Sequence, residues 1–236
     1  MLTTALATIL ASALGCSPGS NGEGNAVEAT TSALSQSGFR GWQQIPGQTF
    51  GSSPAAVSLD SSTVSVFGKG GDNNYWQNFG FTFDGGSTWS WTGWTSTDFG
   101  GMLFDCAPGA TGFNTEDIAV AGIIDSTVYV NVNQRDSSGS LSWTGWAPLP
   151  LAGDFLSMGV ALTYSSSYLY AFAPGWDYKL YWTRNDVSGG YNSANWSTWT
   201  KLSESTTDCC AFGAAALPGG QIFVGAQLQS DSQEYV

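Results

Sequence analysis

Four tryptophans at near-constant spacing constrain this chain more than any other feature. Trp42, Trp94, Trp146 and Trp199 are separated by 52, 52 and 53 residues. The last three close the pattern Trp-x-x-Trp, in Trp91-Thr92-Gly93-Trp94, Trp143-Thr144-Gly145-Trp146 and Trp196-Ser197-Thr198-Trp199. Arg40-Gly41-Trp42 keeps only the second ring. A fixed period of about 50 residues marks a repeat architecture, in which each unit is one supersecondary module.

Aligned on these tryptophans, alternating apolar segments come into register at Thr63 to Phe67, Asp117 to Val120, Tyr168 to Phe172 and Gln221 to Val224. An aspartate then opens a further strand: Asp72 before Tyr75-Trp76, Asp125 before Tyr129-Val130, Asp177 before Tyr181-Trp182 and Asp231 before Tyr235-Val236. Small-residue segments such as Pro54-Ala55-Ala56-Val57 and Gly213-Ala214-Ala215-Ala216 precede each pair. Four short strands per unit, with turn residues between them, predict an all-β chain folded as a β-propeller. The small first strand suits the crowded axis and the tryptophan strand the rim. Two tryptophans three apart on one strand are expected on opposite faces, so that each pair packs against both neighbouring blades.

The ends of the repeat set the expected blade count. No rim tryptophan follows Asp231, and Gly38 to Gly47 is a lone fourth strand around Trp42. The two defects complement each other. They predict four blades over residues 38–236, closed by the N-terminal strand, which would cover otherwise open sheet edges. A fragment of a longer ring is the alternative.

Six basic residues against eighteen acidic ones give a net charge of −12, which repels phosphate backbones and argues against nucleic acid as a partner. With no histidine in the chain, the commonest metal ligand and general base is missing, and neither a metal nor a cofactor is expected. Residues 1–16 read as a signal peptide, its apolar core too short for a permanent span. Ala13-Leu14-Gly15-Cys16 resembles a bacterial lipobox, which implies lipid attachment at Cys16 and an outer-membrane lipoprotein; plain secretion is the alternative. Residues 17–37 have little to bury and predict a disordered tether, with a reach of roughly 25 Å.

Thr82-Phe83-Asp84-Gly85-Gly86-Ser87-Thr88-Trp89 resembles the Asp-box of sialidase-like propellers, a folding element remote from catalysis. Asp84 is expected to accept hydrogen bonds from turn amides and close its hairpin. A sialidase would need three converging arginines. The three present are Arg40, Arg135 and Arg184, the last two read as equivalent rim positions. A general glycosidase needs two carboxylates about 5–9.5 Å apart, and Asp105, Glu116, Asp154 and Asp208 are candidates that no spacing singles out. The chain reads as a non-enzyme.

Over Ser53 to Val236 the repeat resembles the PLL-like β-propeller lectins of bacteria. The resemblance is carried by Ser53-Pro54-Ala55-Ala56-Val57, by Val64 to Trp76 and by Ser90-Trp91-Thr92-Gly93-Trp94. It implies metal-independent binding of fucose and related neutral sugars in pockets between blades, with glycans as partners. Aromatic rings stack on the C–H face of a pyranose, and Asn, Asp and Ser meet its hydroxyls. Trp76 and Trp182 differ between units while their neighbours repeat, which singles them out as platforms together with Tyr75, Tyr181, Asp72 and Asp177. A protein-binding scaffold and a sialidase-like glycoside hydrolase are the competing readings. Cys106 and Cys210 stand 12 residues before Ile118 and Ile222; facing each other across a four-bladed ring, they are expected to form a disulfide in an exported chain, with Cys209 able to replace Cys210 or to pair with it instead.

Overall fold

The structure, a computed structural model, describes residues 44–96, 101–135, 138–150, 154–202, 207–228 and 234–235, with backbone alone at 207–211, 227–228 and 234–235. All of them lie in the unit Trp42–Val236. Among the described residues, sixteen strands form four antiparallel sheets. Sheet one comprises β1 (Ala55–Val57), β2 (Thr63–Lys69), β3 (Tyr75–Phe81) and β4 (Ser90–Trp91). Sheet two has β5 (Gly109–Phe113), β6 (Asp117–Ile124), β7 (Thr127–Arg135), β8 (Leu141–Trp143) and β9 (Ala147–Pro148), the last two both on β7. Sheet three has β10 (Ala161–Ser165), β11 (Tyr168–Pro174), β12 (Leu180–Asp186) and β13 (Thr200–Lys201). Sheet four has β14 (Thr207–Ala216), β15 (Ile222–Leu228) and β16 (Glu234–Tyr235). Gln44–Gly47 forms no strand; the rest of the expected closing strand, with Trp42, lies outside the described residues, as do Cys16 and Asp231.

The first strands pack side by side in the order β1, β5, β10, β14. Their small residues are a steric requirement. A Cβ on Gly109 of β5 would stand 1.9 Å from the Val160 carbonyl oxygen ahead of β10. Apolar residues fill the seams between successive sheets. Phe67, Tyr75, Phe104 and Val120 occupy the seam of sheets one and two. Ala119, Ala121, Val130, Val160, Leu162 and Trp199 belong to that of two and three. Phe172, Trp182, Phe212 and Val224 fill that of three and four. A buried Trp or Phe removes about 150–250 Å² from water, or at most ~4–6 kcal/mol, so these seams are the main source of cohesion.

The tryptophan pairs do not face both neighbours, contrary to the expectation. Between Trp143 and Trp146 the outer strand carries one extra residue: Trp143 pairs with Asn133, but Ala147 pairs with Val130. Gly93 and Gly145 take φ of +98° and +86° at this bulge, where glycine avoids the Cβ clash of the left-handed region. The extra residue returns the second tryptophan to the face of the first. Trp143 lies edge-on to Phe67, and Trp146 meets Tyr75 and Phe104, all in the seam with sheet one. Trp196 and Trp199 likewise both pack into the seam with sheet two. The Ser or Thr after each first tryptophan has a job here: its hydroxyl accepts from the β3-type amide that the bulge strands. Phe79 N donates to Thr92 Oγ1 at 3.3 Å, Val132 N to Thr144 Oγ1 at 3.3 Å and Arg184 N to Ser197 Oγ at 3.2 Å.

Cys106 carries a free, buried thiol, which corrects the expected bridge to Cys210. It belongs to the core cluster between sheets two and three and also reaches sheet one, its Sγ 3.8 Å from the Tyr75 hydroxyl, and burial pushes its pKa up. β5 packs on β1 and β10, while β14 packs on β10. The Cys210 side chain lies outside the described ones.

Candidate functional site

The β2–β3 turn of sheet one and the β11–β12 turn of sheet three are built alike. Gly70 N donates to Asn74 O at 2.9 Å, and Gly175 N to Lys179 O at 2.8 Å. Asn73 and Tyr178 both adopt positive φ, 62° and 59°. Asp72 Oδ1 accepts from Asn74 N, and Asp177 Oδ1 from Lys179 N, each at 3.1 Å. The carboxylates then bond the first outward ring of the next strand: Trp76 Nε1 donates to Asp72 Oδ1 at 3.2 Å, and Tyr181 Oη to Asp177 Oδ2 at 3.0 Å. Sheet two has a tighter Asp125-Ser126 turn, both residues at positive φ, with Ile124 in place of the glycine.

This register changes which residues correspond. Gln77, Val130 and Trp182 each pair with the residue after a second tryptophan, namely Thr95, Ala147 and Thr200. Trp76 therefore corresponds to Tyr129 and Tyr181, not to Trp182. Trp182 points to the opposite face from Tyr181 and packs in the seam with sheet four, near Tyr170 and Val224. Tyr75 is fully buried, stacked on Phe104 at 3.8 Å and donating to the Cys106 carbonyl at 3.1 Å. It is a core residue, and its expected place at a sugar platform is corrected accordingly. Trp76 is half-buried beside Asp72.

Of the expected residues, the structure brings Asp177 and Tyr181 together in a pocket of about 300 Å³, lined also by Asp154, Phe155, Trp176 and Trp199. The strand-to-strand linker builds one wall: Phe155 N donates to Ser126 O of sheet two at 3.1 Å, and Leu156 N to Pro174 O of sheet three at 2.9 Å. Phe155 packs on Trp199 with centroids 4.4 Å apart, and Trp199 Nε1 is held by Pro150 O at 2.7 Å. The same Phe–Trp pair recurs as Phe50–Trp94 at 4.5 Å and Phe104–Trp146 at 4.6 Å, so these rings are scaffold. Trp176 is different. It is 59% exposed, and Gly71 stands in its place over sheet one. Its signal in the sequence was a tryptophan out of phase with the 52-residue repeat.

Two charges act at the pocket besides Asp154. Burial alone would raise the Asp177 pKa, but the Lys179 amide, the Tyr181 hydroxyl and Lys201 outweigh it and hold the carboxyl below its ordinary value. Burial and the Asp177 carboxylate raise that of Tyr181. Lys201 Nζ lies 3.4 Å from Asp177 Oδ2 and 5.9 Å from the Tyr181 ring centroid. The glycine behind this group is sterically fixed. A Cβ on Gly175 would fall 2.7 Å from the Tyr181 ring, and one on Gly70 2.7 Å from Trp76 Nε1.

Most of the candidate groups for hydrolysis are engaged in structural contacts. Arg135 pairs with Glu116 and the Gly139 carbonyl, whereas Arg184 lies 4.3 Å over the Tyr168 ring. The two are not equivalent: Arg184 O and Val132 O accept from Ser197 N and Thr144 N in the same way, which puts Arg135 three residues further along. Arg40 and the Asp208 side chain lie outside what is described. Asp105 Oδ2 accepts from Asp125 N at 3.0 Å, which ties a linker to a turn. Asp84 closes its hairpin as expected: Oδ1 accepts from Ser87 N at 2.8 Å and Thr88 N at 2.9 Å, and Oδ2 from Thr88 Oγ1 at 2.6 Å. These bonds, those of Thr88 first, hold its carboxyl far below the usual range. Among the described residues, no three His, Cys, Asp or Glu side chains gather as a metal site.

No protein-family model matches the chain, and no curated protein does. Solved structures do. The chain is similar to a fucose-specific lectin from Aleuria aurantia at 12% identity and TM-score 0.53, over 78% of this chain and 56% of that one. A second Aleuria aurantia lectin structure, six-bladed by its own description, matches at 12% identity and TM-score 0.52, over 78% and 56%. A triple arginine mutant of AofleA from Arthrobotrys oligospora matches at 13% identity and TM-score 0.50, over 75% and 50%. This chain spans about half the length of those proteins. At such identities the likeness is one of fold, and with the four side-by-side sheets it shows that the chain is a β-propeller.

Proposed function

We propose that this protein is an exported lectin that binds neutral saccharides without a metal, through the sheet-three pocket. One observation carries the reading: an exposed tryptophan, Trp176, stands outside the packing repeat on the rim of a pocket of about 300 Å³ that also holds Asp154 and Asp177. That volume is at the small end of ligand pockets and suits one sugar ring. The indole offers a face for stacking, and the carboxylates accept from hydroxyls. The fold it shares with fucose-specific lectins supports the same reading. At this turn only sheet three carries an exposed tryptophan; the matching space over sheet one, lined by Phe50 and Gly71, lacks one, so the proposed sugar site is in sheet three rather than at Trp76 and Trp182.

A lone sugar site is weak, about −4 kcal/mol, near millimolar, and multivalent presentation raises the apparent affinity. The test is a glycan array read with the parent and Trp176→Ala, in the presence of EDTA. Binding that needs Trp176 and survives EDTA supports the proposal. An array without signal, or signal indifferent to Trp176, overturns it. Turnover of chromogenic glycosides would instead favour the hydrolase. Four-blade closure by residues 38–47 and lipid attachment at Cys16 belong to the same proposal. Truncations that start at 38 and 48 test the closure, and mass spectrometry of the N-terminus tests the lipid.

A further inference from the structure

The sheet-three pocket combines faces of aromatic rings with carboxylates and has no basic residue in its lining. Trp176, Tyr181 and Trp199 supply the rings, and Asp154 and Asp177 the charges. Rings and carboxylates together recognise a cation that carries apolar groups around it, because the ring quadrupole and the carboxylate attract the same charge. The chain itself shows such an occupant. The ammonium of Lys201 rests at the edge of this group, 3.4 Å from Asp177 Oδ2 and 5.9 Å from the Tyr181 centroid. The second carboxylate is differently placed. The Asp154 backbone carbonyl accepts from Trp176 N at 3.0 Å, which sets the residue beside the exposed indole. Its side chain accepts no hydrogen bond from the described residues and is exposed. Lys201 thus answers Asp177, and Asp154 is left as acceptor next to Trp176. The chain's net charge of −12 adds a long-range field of the same sign.

Resting on the lectin reading above, we propose that this pocket selects sugars bearing a free amine, that is 2-amino-2-deoxyhexoses such as those of de-N-acetylated polysaccharides, over their neutral counterparts. The pyranose lies on Trp176 and its ammonium meets Asp154. Sugars that carry a carboxylate are rejected by the two aspartates.

The test compares four probes by titration in low salt: methyl glycosides of glucosamine, N-acetylglucosamine, glucose and glucuronic acid. The glucosaminide should bind roughly tenfold more tightly than the N-acetyl form, the combined effect of a cation over a ring and a carboxylate. The advantage should vanish in Asp154→Asn, shrink as salt rises, and disappear when pH passes the amine's own pKa. The glucuronide should not bind. Lys201→Gln removes the internal ammonium and should tighten the glucosaminide further. Equal affinity for the amine and its N-acetyl form, an advantage that survives Asp154→Asn, or weaker amine binding in Lys201→Gln would each overturn this inference while leaving the lectin reading intact. Failure of every glycoside at a Trp176-dependent site would overturn both. Asp154 is exposed and without a side-chain partner among the described residues, so its variant should melt with the parent; a changed melting curve would itself contradict its assignment as a ligand group.

Discussion

Sheet one turns through Gly70-Gly71-Asp72-Asn73-Asn74-Tyr75-Trp76, and sheet three through Gly175-Trp176-Asp177-Tyr178-Lys179-Leu180-Tyr181. Position by position the two loops share a glycine under the ring, a carboxylate that ties its own turn, a left-handed fourth residue, a buried apolar side chain and an outward ring bonded to the carboxylate. Of the side chains that differ, the one that changes the pocket wall is Gly71 against Trp176. The carboxylate and its aromatic partner therefore belong to the turn's own construction in both places. What makes a candidate site in sheet three is an added indole and the linker residue Asp154 beside it, where sheet one has Thr49 beside Phe50.

The most severe way to break the comparison is to fill the shared glycine. Gly175→Val places a side chain where the Tyr181 ring and Asp177 already stand. We expect about 1–3 kcal/mol of destabilisation from overpacking and complete loss of sugar binding. Gly70→Val should cost similar stability, because its Cβ meets Asp72 and Trp76, yet leave sugar binding unchanged. Chemical denaturation with titration of a methyl glycoside checks both. Equal loss of binding in the two variants would mean that the site is not confined to sheet three.

The next test exchanges the residue that adds the exposed ring. Trp176→Ala should weaken sugar binding by about 1 kcal/mol, or roughly fivefold, and shift stability by less than ~0.5 kcal/mol because the ring is exposed. The reverse exchange, Gly71→Trp, should give sheet one a measurable second site. A stoichiometry that stays at one in that variant would show that Asp154, and not the indole alone, makes the pocket.

The repeat, the four-strand plan and the small inner strands were legible in the sequence because packing imposes them once per unit. The tryptophan faces were not, since a single-residue bulge at Gly93 or Gly145 reverses the alternation that strand geometry implies. The site was half legible. The aspartates mark the two like-built turns, and a count of four from Asp72 and Asp177 reaches the rings bonded to them, Trp76 and Tyr181. The shared dipeptide Tyr-Trp at 75–76 and 181–182 instead suggests a pairing one residue off, which sends Trp182 to the wrong face and makes the buried Tyr75 a ligand. Trp176 escaped because it has no counterpart to align. Cys106 illustrates the same limit: equivalent positions in two sheets need not meet.

A smaller effect separates the two ring-to-carboxylate bonds. Tyr181→Phe removes a hydroxyl donor from Asp177, so the Asp177 carboxyl should rise toward its ordinary value, while the Lys179 amide and Lys201 still hold it down. Trp76→Phe should raise Asp72 less, because the Asn74 side chain is the largest influence there. Carboxyl titration by NMR reads both shifts, and the reverse order would show that the two turns are not built alike.

The smallest expected effect lies at the far end of the same strands, where the sheets differ again. Sheet one joins β3 to β4 through the hairpin tied by Asp84, whereas sheet three uses a one-turn 3-10 segment, Ser193–Asn195, capped by the Asn192 side chain. The first device titrates and the second does not. The Asp84 carboxyl is lowered in the folded state by its bonds to Thr88, Thr82 and Ser87. Its contribution is therefore complete above the unfolded value, near pH 4, and is lost as pH falls through the lower folded value. Because the carboxylate is fully exposed, the loss should be slight in the parent and absent in Asp84→Asn, whose stability curve should run flatter below pH 4. Replacing Asn192 by Ala should lower stability by about 1 kcal/mol, as removal of a helix cap does, equally at every pH. Parallel melting curves of parent and Asp84→Asn from pH 5 to pH 2 would show that the Asp84 turn makes no net contribution to folding.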